Sequence, residues 1–496
     1  MLLLQMITEM DDIVEVEGSK KVALCAFFES NIGIRQLAAY LKANGINADL
    51  FYIVNIESIS ELIDQLMAYD IIGLSVLTDD CSKAFRLAEE VIKKRNNAFP
   101  ILVFGGVHAT IMPEQCLQVS DYVVRGEGEE ALLEICQKSL EEIHTIENVS
   151  YFSDKGIISN PLRPVQLDLD KYPFPYYTDK EAVENRYIIV SSRGCPFRCS
   201  YCYNSYLRNY YRSSHPSVRK RSVNSIITEL VQILKRNPEI VLVQFFDDNF
   251  LMRGMDEIIL FCKEYKERVN KPFFCLAHPS LIIEEKIELL TAAGLEHIQI
   301  GIQSGSPEIN RDVYNREVDG YQILRAANIC SRHSVSVYFD IIFNNPYETT
   351  RDVKMTLELL KKIPKPFHLQ GHNLVFYPDT EITKRALEDG LISPIEAKNP
   401  CQSVVTGNLN SPLDFINDIS NTYYNTHYQI DGKERMNTLI AISQVVPSWC
   451  ISIMEKLPGD ALFIANLWFA IKRRKNYRET YYADKIRAAV KRARKK

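Results

Sequence analysis

The sequence has no apolar run approaching the roughly 18 residues that a membrane-crossing helix needs, so no such helix is expected. It has no strong charge bias either. Lys and Arg number 58 against 63 acids, a net −5, which excludes the overall attraction to nucleic acid of a basic domain. Its 12 cysteines are scattered apart from one trio and do not space out as a disulfide framework. A reducing, cytoplasmic setting is expected from that usage. Met1-Leu-Leu-Leu-Gln-Met-Ile7 is apolar but lacks a basic flank and runs into acids, so no secretory signal is expected. What is present is a globular composition, 46% hydrophobic and 24% charged, over 496 residues, enough for two or three domains.

The most informative stretch is Ser191-Ser-Arg-Gly-Cys-Pro-Phe-Arg-Cys-Ser-Tyr-Cys-Tyr203. Cys195, Cys199 and Cys202 stand in CxxxCxxC spacing, and the next cysteine is Cys262. A structural zinc site wants four closed ligands and a ferredoxin cluster four cysteines. Three thiolates in eight residues can instead hold an iron–sulfur cluster and leave one iron without a protein ligand. Arg186 to Ser192 reads as a strand, and Gly194 and Pro196 break it, so the cysteines sit on a loop after a strand.

That pattern, with Tyr201 in the aromatic slot before the last cysteine, resembles the radical S-adenosylmethionine (SAM) enzymes. The resemblance implies a 4Fe–4S cluster on Cys195, Cys199 and Cys202. It also implies SAM chelated to the free iron, and cleavage of its sulfonium to a 5′-deoxyadenosyl radical. The strand–helix rhythm from Tyr187 onward supplies six expected parallel strands: 186–192, 240–246, 273–277, 297–302, 335–343 and 367–376. These resemble the family's partial (β/α)6 barrel, with its chemistry at the carboxyl-end mouth. Strand ends then give the implied SAM contacts: Tyr201, Tyr203, Phe246, Asp247, Gln303, Ser304, Arg316 and Ile341. Gln303-Ser-Gly-Ser306 is similar to the family's G-I-E-S-G-S end, with Gln in place of Glu. Arg316, like Arg311, is a candidate for the methionyl carboxylate. Asn344-Asn-Pro-Tyr-Glu348 departs from the family's Gly-x-Pro-Gly-Glu. No catalytic side chain is assigned.

Ahead of the barrel, residues 19–145 alternate short apolar strands with helices of roughly 10–12 residues, the pattern of a doubly wound parallel sheet. Ligands of such sheets bind beyond the carboxyl ends of the strands. Placed before the cysteine motif, this domain resembles the cobalamin-binding domain of cobalamin-dependent radical SAM enzymes. Ser75-Val-Leu77 and Gly105-Gly106 match its strand ends, and the implied cobalamin contacts are Ser75, Leu77, Thr78, Gly105, Gly106 and Gly126. The DxHxxG motif of many cobalamin domains does not match: Phe28 and Ser30 stand where Asp and His belong. Two readings remain, cobalamin held with its lower face unligated or hydrated, or a relic domain that binds none. The first is the expectation. His108 is read as a loop or partner contact rather than a cobalt ligand.

The expected organisation is therefore a tail (1–18), a Rossmann-like cobalamin domain (19–145), a hairpin-containing proline-stiffened linker (146–185), the barrel (186–395) and a helical C-terminal region (396–496). In that last region twelve Lys/Arg against two acids follow Ile471, beside the largely apolar 462–471. It is a candidate peripheral membrane contact, although a packed helix with a solvated basic tail explains it as well. The resemblance implies a methyltransferase acting on an unactivated carbon of a small-molecule, peptide or lipid substrate. An external flavodoxin- or ferredoxin-type donor would supply electrons, and no nucleic-acid partner is expected. The rivals are a non-methylating cyclase, rearrangement or carbon–carbon coupling enzyme, and a redox-sensing iron–sulfur protein.

Overall fold

The structure, a computed structural model, describes residues 20–28, 31–53, 59–96, 99–175, 185–211, 216–343, 345–398 and the strand 426–430. The first domain is built on β1 (Val22–Ala26), β2 (Ala48–Tyr52), β3 (Ile71–Ser75), β4 (Ile101–Gly105) and β5 (Tyr122–Val124). All five run parallel in the order β2-β1-β3-β4-β5. β1 is apolar and wholly buried, as a strand covered by helices on both faces must be. The chain leaves β1 toward one edge and returns across it toward the other. A crevice therefore opens beyond the carboxyl ends of β1 and β3. Asn31 sharpens it. Its side chain accepts the Ile34 N–H at 3.1 Å and so caps the helix Ile32–Ala43 that starts there.

One boundary differs from the sequence reading. The hairpin β6 (Val149–Ser153) and β7 (Gly156–Ser159) extends the first sheet antiparallel to β5 rather than lying in a linker. Val149 and Ser150 are buried there, so the hairpin completes the sheet edge. The proline strap follows it. Tyr176 and Tyr177, expected near the join, lie outside the described residues, as does Ser30.

The second sheet takes β8 (Arg186–Ile189), β11 (Leu242–Phe245), β12 (Phe273–Ala277), β13 (Leu295–Gln303), β14 (Ser336–Phe343) and β15 (Phe367–Asn373) side by side and parallel. Alternate residues such as Val243, Phe245, Phe273, Ile298, Phe339 and Phe367 pack in one buried core with residues of the surrounding helices. Their neighbours face the bore. Between β8 and β11, β9 (Ser192–Arg193) leaves the barrel and pairs antiparallel with β10 (Arg219–Lys220). The C-terminal region is not all helical. β16 (Thr426–Ile430) joins β15 antiparallel as a seventh strand. The rest of the expected helical region beyond residue 398, including 462–471 and the basic tail, lies outside the described residues. Among the described residues, no helix is long and apolar enough to cross a membrane.

Candidate active site

A cleft of about 520 Å³ lies between the two sheets. From the first domain it is lined by Gly33, Ser75, Gly105, Gly106 and Gly126, each at or just beyond a strand's carboxyl end or a helix start. From the second it takes Cys195, Tyr203, Phe246 and Asp248. Cobalamin-type and cluster-type residues, about 90 positions apart in sequence, thus share one cavity.

The floor is bare backbone. Gly106 has φ of +91°, and a Cβ there would come within 2.9 Å of both the N and O of Val76. A side chain at this turn is excluded on both counts. Ser75 Oγ lies 3.4 Å from Asn31 Nδ2, which ties the ends of β1 and β3 together at the crevice. Leu77 and Thr78 do not line the cleft, contrary to the reading of the Ser-Val-Leu strand end. Leu77 is 40% exposed elsewhere, and Thr78 is buried, 3.3 Å from His108 Nδ1. The backbone turns into a short 3-10 helix at Thr78, which carries both side chains off the strand axis. His108 is wholly buried beside Phe85, and burial holds its pKa down at about 4. Its ring faces the layer of helices, not the cleft.

The cysteine loop is tied down on every side. Ser200 donates to Tyr314 O from its N–H (3.0 Å) and to Val313 O from its hydroxyl (2.6 Å). Ser205 Oγ bonds Cys199 O at 2.8 Å, and Arg208 Nη1 bonds Pro196 O at 2.9 Å. Gly194 has φ of +89°, with Ser217 O only 2.4 Å from where a Cβ would sit. Cys199 is buried, while Cys195 and Cys202 are partly exposed. Burial pushes the Cys195 thiol up to about 11 and the Cys202 thiol up to about 12. Such thiols are inert until a metal takes their protons. Among the described residues no three His, Cys, Asp or Glu side chains gather as tightly as one metal ion requires. A multi-iron cluster spaces its sulfurs more widely.

Around the trio the other predicted residues divide. Arg316 is buried and approaches Cys199 Sγ (3.6 Å), Tyr201 Oη (3.3 Å) and Gly301 O (2.8 Å). Gln303 stands at φ +66° after a register shift in β13, and its Oε1 is buried without a hydrogen-bond partner among the described residues. Ser304 is buried and bonds Glu348 at 2.6 Å. Asp247 is the clearest correction. It is 0% exposed, and its carboxylate accepts from Ser191 N (3.0 Å), Ser191 Oγ (2.8 Å) and Ser192 Oγ. With its oxygens turned into these bonds it braces the stretch before the cysteines and does not line the cleft. Asp248 faces the cleft in its place. Burial raises its pKa, and Asn204 and the Gly194 N–H draw it back. Ile341 is also corrected: it packs in the barrel's helix-facing core, 1% exposed, because it shares the face of Phe339 and Phe343.

The sequence reading missed the join between domains. Glu127, just past β5, accepts from Arg193 Nη1 (3.0 Å) and Arg219 Nη1 (3.1 Å). Glu129 bonds Arg193 as well, and Tyr211 Oη accepts the Glu127 N–H at 2.9 Å. Arg193 also lies over the Tyr172 ring, 4.9 Å from its centre. Burial raises the Glu127 pKa, but Arg193 and Arg219 outweigh it and hold the carboxyl below its usual range. The acid between two glycines was visible in Gly126-Glu-Gly128. Its partners, 66 and 92 residues away, were not.

Two family signatures fall on these two domains: the B12-binding domain over residues 21–136 and the radical SAM superfamily over residues 189–360. The chain belongs to the B12-binding radical SAM enzymes. Its relatives include an uncharacterized methyltransferase of Pyrococcus horikoshii, 26% identical over 65% of this chain and 70% of that protein. The anaerobic magnesium-protoporphyrin IX monomethyl ester cyclase of Rubrivivax gelatinosus is 24% identical over 66% of this chain, which spans 61% of that protein. In fold the chain resembles the radical SAM methyltransferase TsrM of Kitasatospora setae, with TM-score 0.62, 16% identity, and 75% and 76% of the two chains covered. It likewise resembles the cobalamin-dependent radical enzyme OxsB with aqua-cobalamin, with TM-score 0.59, 20% identity, and 69% and 52% covered.

The cofactors of this family are a 4Fe–4S cluster, SAM and cobalamin, and the residues fit them. Cys195, Cys199 and Cys202 are three soft donors with a cation, Arg316, beside one of them. The side-chain-free floor at Gly105-Gly106 admits a ligand to backbone contact. Gln303 Oε1 offers a buried acceptor without a partner among the described residues, at the end of β13.

Proposed function

We propose that this enzyme methylates an unactivated carbon of a small organic substrate in the cytoplasm, with electrons from a flavodoxin- or ferredoxin-type protein. When bound, the cluster, SAM and cobalamin between them supply an electron, a hydrogen-abstracting carbon radical and a methyl carrier. The chain's own work is placement and exclusion of water. Cys195, Cys199 and Cys202 would hold the iron, and Asp247 keeps the stretch before them in line by gripping Ser191 and Ser192. Arg316 sets a fixed positive charge against Cys199. Ser75, Gly105 and Gly106 would line the cobalamin site, and Glu127 with Arg193 ties those strand ends to the cysteine loop. Phe246, 47% exposed at the cleft, supplies an apolar wall beside the reacting centre.

The observation that carries this reading is that Cys195 and the Gly105-Gly106 turn line a single cleft. A methyl carrier and a radical source in one cavity suit transfer of carbon to a substrate radical. The balance per product is R–H plus two SAM and two electrons, giving R–CH3, S-adenosylhomocysteine, 5′-deoxyadenosine and methionine. Methyl-labelled SAM tests it: label must enter product in step with 5′-deoxyadenosine. Unlabelled product with equivalent 5′-deoxyadenosine would favour the second reading, a cyclase, which the relative in Rubrivivax supports.

A further inference from the structure

His278 follows β12 directly and is 7% exposed. Its ring stacks on Phe197, with centroids 3.7 Å apart and the planes 17° apart. Phe197 stands midway between Cys195 and Cys199. The stack therefore joins the rim of the barrel to the middle of the cysteine loop. Arg316, whose Nη1 is 3.6 Å from Cys199 Sγ, also acts on the imidazole and helps to keep it unprotonated.

The two ring nitrogens differ. The Ser280 N–H donates to Nδ1 at 3.3 Å, and an N–H can donate only to a bare nitrogen. Ser280 Oγ lies 2.7 Å from the same atom and turns its proton there too. Burial, with the Arg316 charge added to it, holds the ring's pKa down at about 3, so the ring is neutral. Its one proton is therefore on Nε2. That Nε2–H is buried and has no hydrogen-bond partner among the described residues. Burying a donor unpaired is costly. This one cannot turn away, because Ser280 fixes one edge of the ring and Phe197 covers a face.

The place says what acceptor suits it. Once the cysteine loop carries iron, the sulfurs of the cluster are acceptors beside a neutral N–H. Hydrogen bonds to those sulfurs stabilise the more negative, reduced state and raise the potential.

We propose that His278 donates its Nε2–H to a sulfur of the 4Fe–4S cluster and thereby makes that cluster easier to reduce. Ser280 fixes the tautomer, and Phe197 positions the ring against the loop.

This rests on the three cysteines holding the cluster, not on methyl transfer. The full-length protein is reconstituted anaerobically, its iron and sulfide are measured, and the cluster is titrated by potentiometry with electron paramagnetic resonance, without SAM. His278→Phe keeps a ring for Phe197 and removes the donor. At the wild-type midpoint its ratio of reduced to oxidised cluster is expected to fall about tenfold, which is about 59 mV for one electron. His278→Gln, which restores an N–H, is expected to lie closer to the wild type. Should His278→Phe load iron poorly, wild-type protein with histidine labelled by the heavy nitrogen isotope is used. Its reduced cluster is expected to show a hyperfine coupling to that nitrogen. An unchanged potential in iron-replete His278→Phe, or no such coupling in the labelled wild type, overturns the assignment. An unchanged potential together with weaker SAM binding by His278→Phe gives the donor to SAM and overturns it as well. Failure of methyl label to enter product would overturn the proposed function and leave the potential shift standing.

Discussion

Glu127 Oε1 lies 3.0 Å from Arg193 Nη1, one residue from the cleft-lining Gly126 and two from Cys195. The bond therefore ties the strand ends of the first sheet to the cysteine loop. Glu127→Ala would leave Arg193 with Glu129 alone and Arg219 without a carboxylate, at a cost of about 1–3 kcal/mol. Thermal melts of apoprotein are expected to show that loss, and cobalamin titration a weaker fit of the loaded form. Unchanged melting would mean that the domains dock through other contacts.

The same pair gives a pH dependence. Glu127 is held below the ordinary carboxylate pKa of about 4.3 in the folded chain. Its stabilisation is thus complete above that unfolded value and is lost as pH falls through the lower, native one. Wild-type stability should therefore fall more steeply than that of Glu127→Gln between about pH 5 and the acid limit. Parallel curves would contradict the assignment.

Adjacent glycines should respond differently. Gly106→Ala forces a Cβ against Val76 from a positive φ, and about 1–3 kcal/mol of stability is expected to go with it. A Cβ at Gly105 meets nothing closer than Val124 O at 3.9 Å. Gly105→Ala should keep the wild-type melt yet bind cobalamin more weakly, because the new methyl enters the cleft. Tight cobalamin binding by both variants would remove the floor from the site.

Asp247→Ala leaves an N–H and two hydroxyls without their acceptor, each worth about 1–3 kcal/mol when buried. The expected result is a destabilised protein that loads less iron, although Asp247 touches no cysteine. Asp248→Asn, which keeps the shape of a cleft-facing side chain, should load iron normally. Normal iron content in both would mean that the strand end needs no brace.

Periodicity and motif carried much of the architecture. The parallel runs Val22–Ala26 and Phe273–Ala277 are short, apolar and bounded by turn residues, so strand type and order of appearance are readable locally. The cysteine loop is local too, within eight residues. What failed was side-chain direction at strand ends. Asp247 and Asp248 are chemically identical in sequence, and their split depends on where Ser191 lies just past the neighbouring strand β8, 56 residues earlier. Ile341 was misread because the face of β14 is set by packing against helices, not by its own composition. β16 was unreadable for a related reason: it pairs with β15 from more than fifty residues away, inside a stretch whose pattern suggested helix.

The most direct measurement is the reductive cleavage of SAM by anaerobically reconstituted protein carrying iron, sulfide and cobalamin, given a strong low-potential reductant. The account predicts 5′-deoxyadenosine and methionine from the wild type, and neither from Cys195→Ala, Cys199→Ala or Cys202→Ala. A wild-type protein with a full, reducible cluster that leaves SAM intact would contradict it.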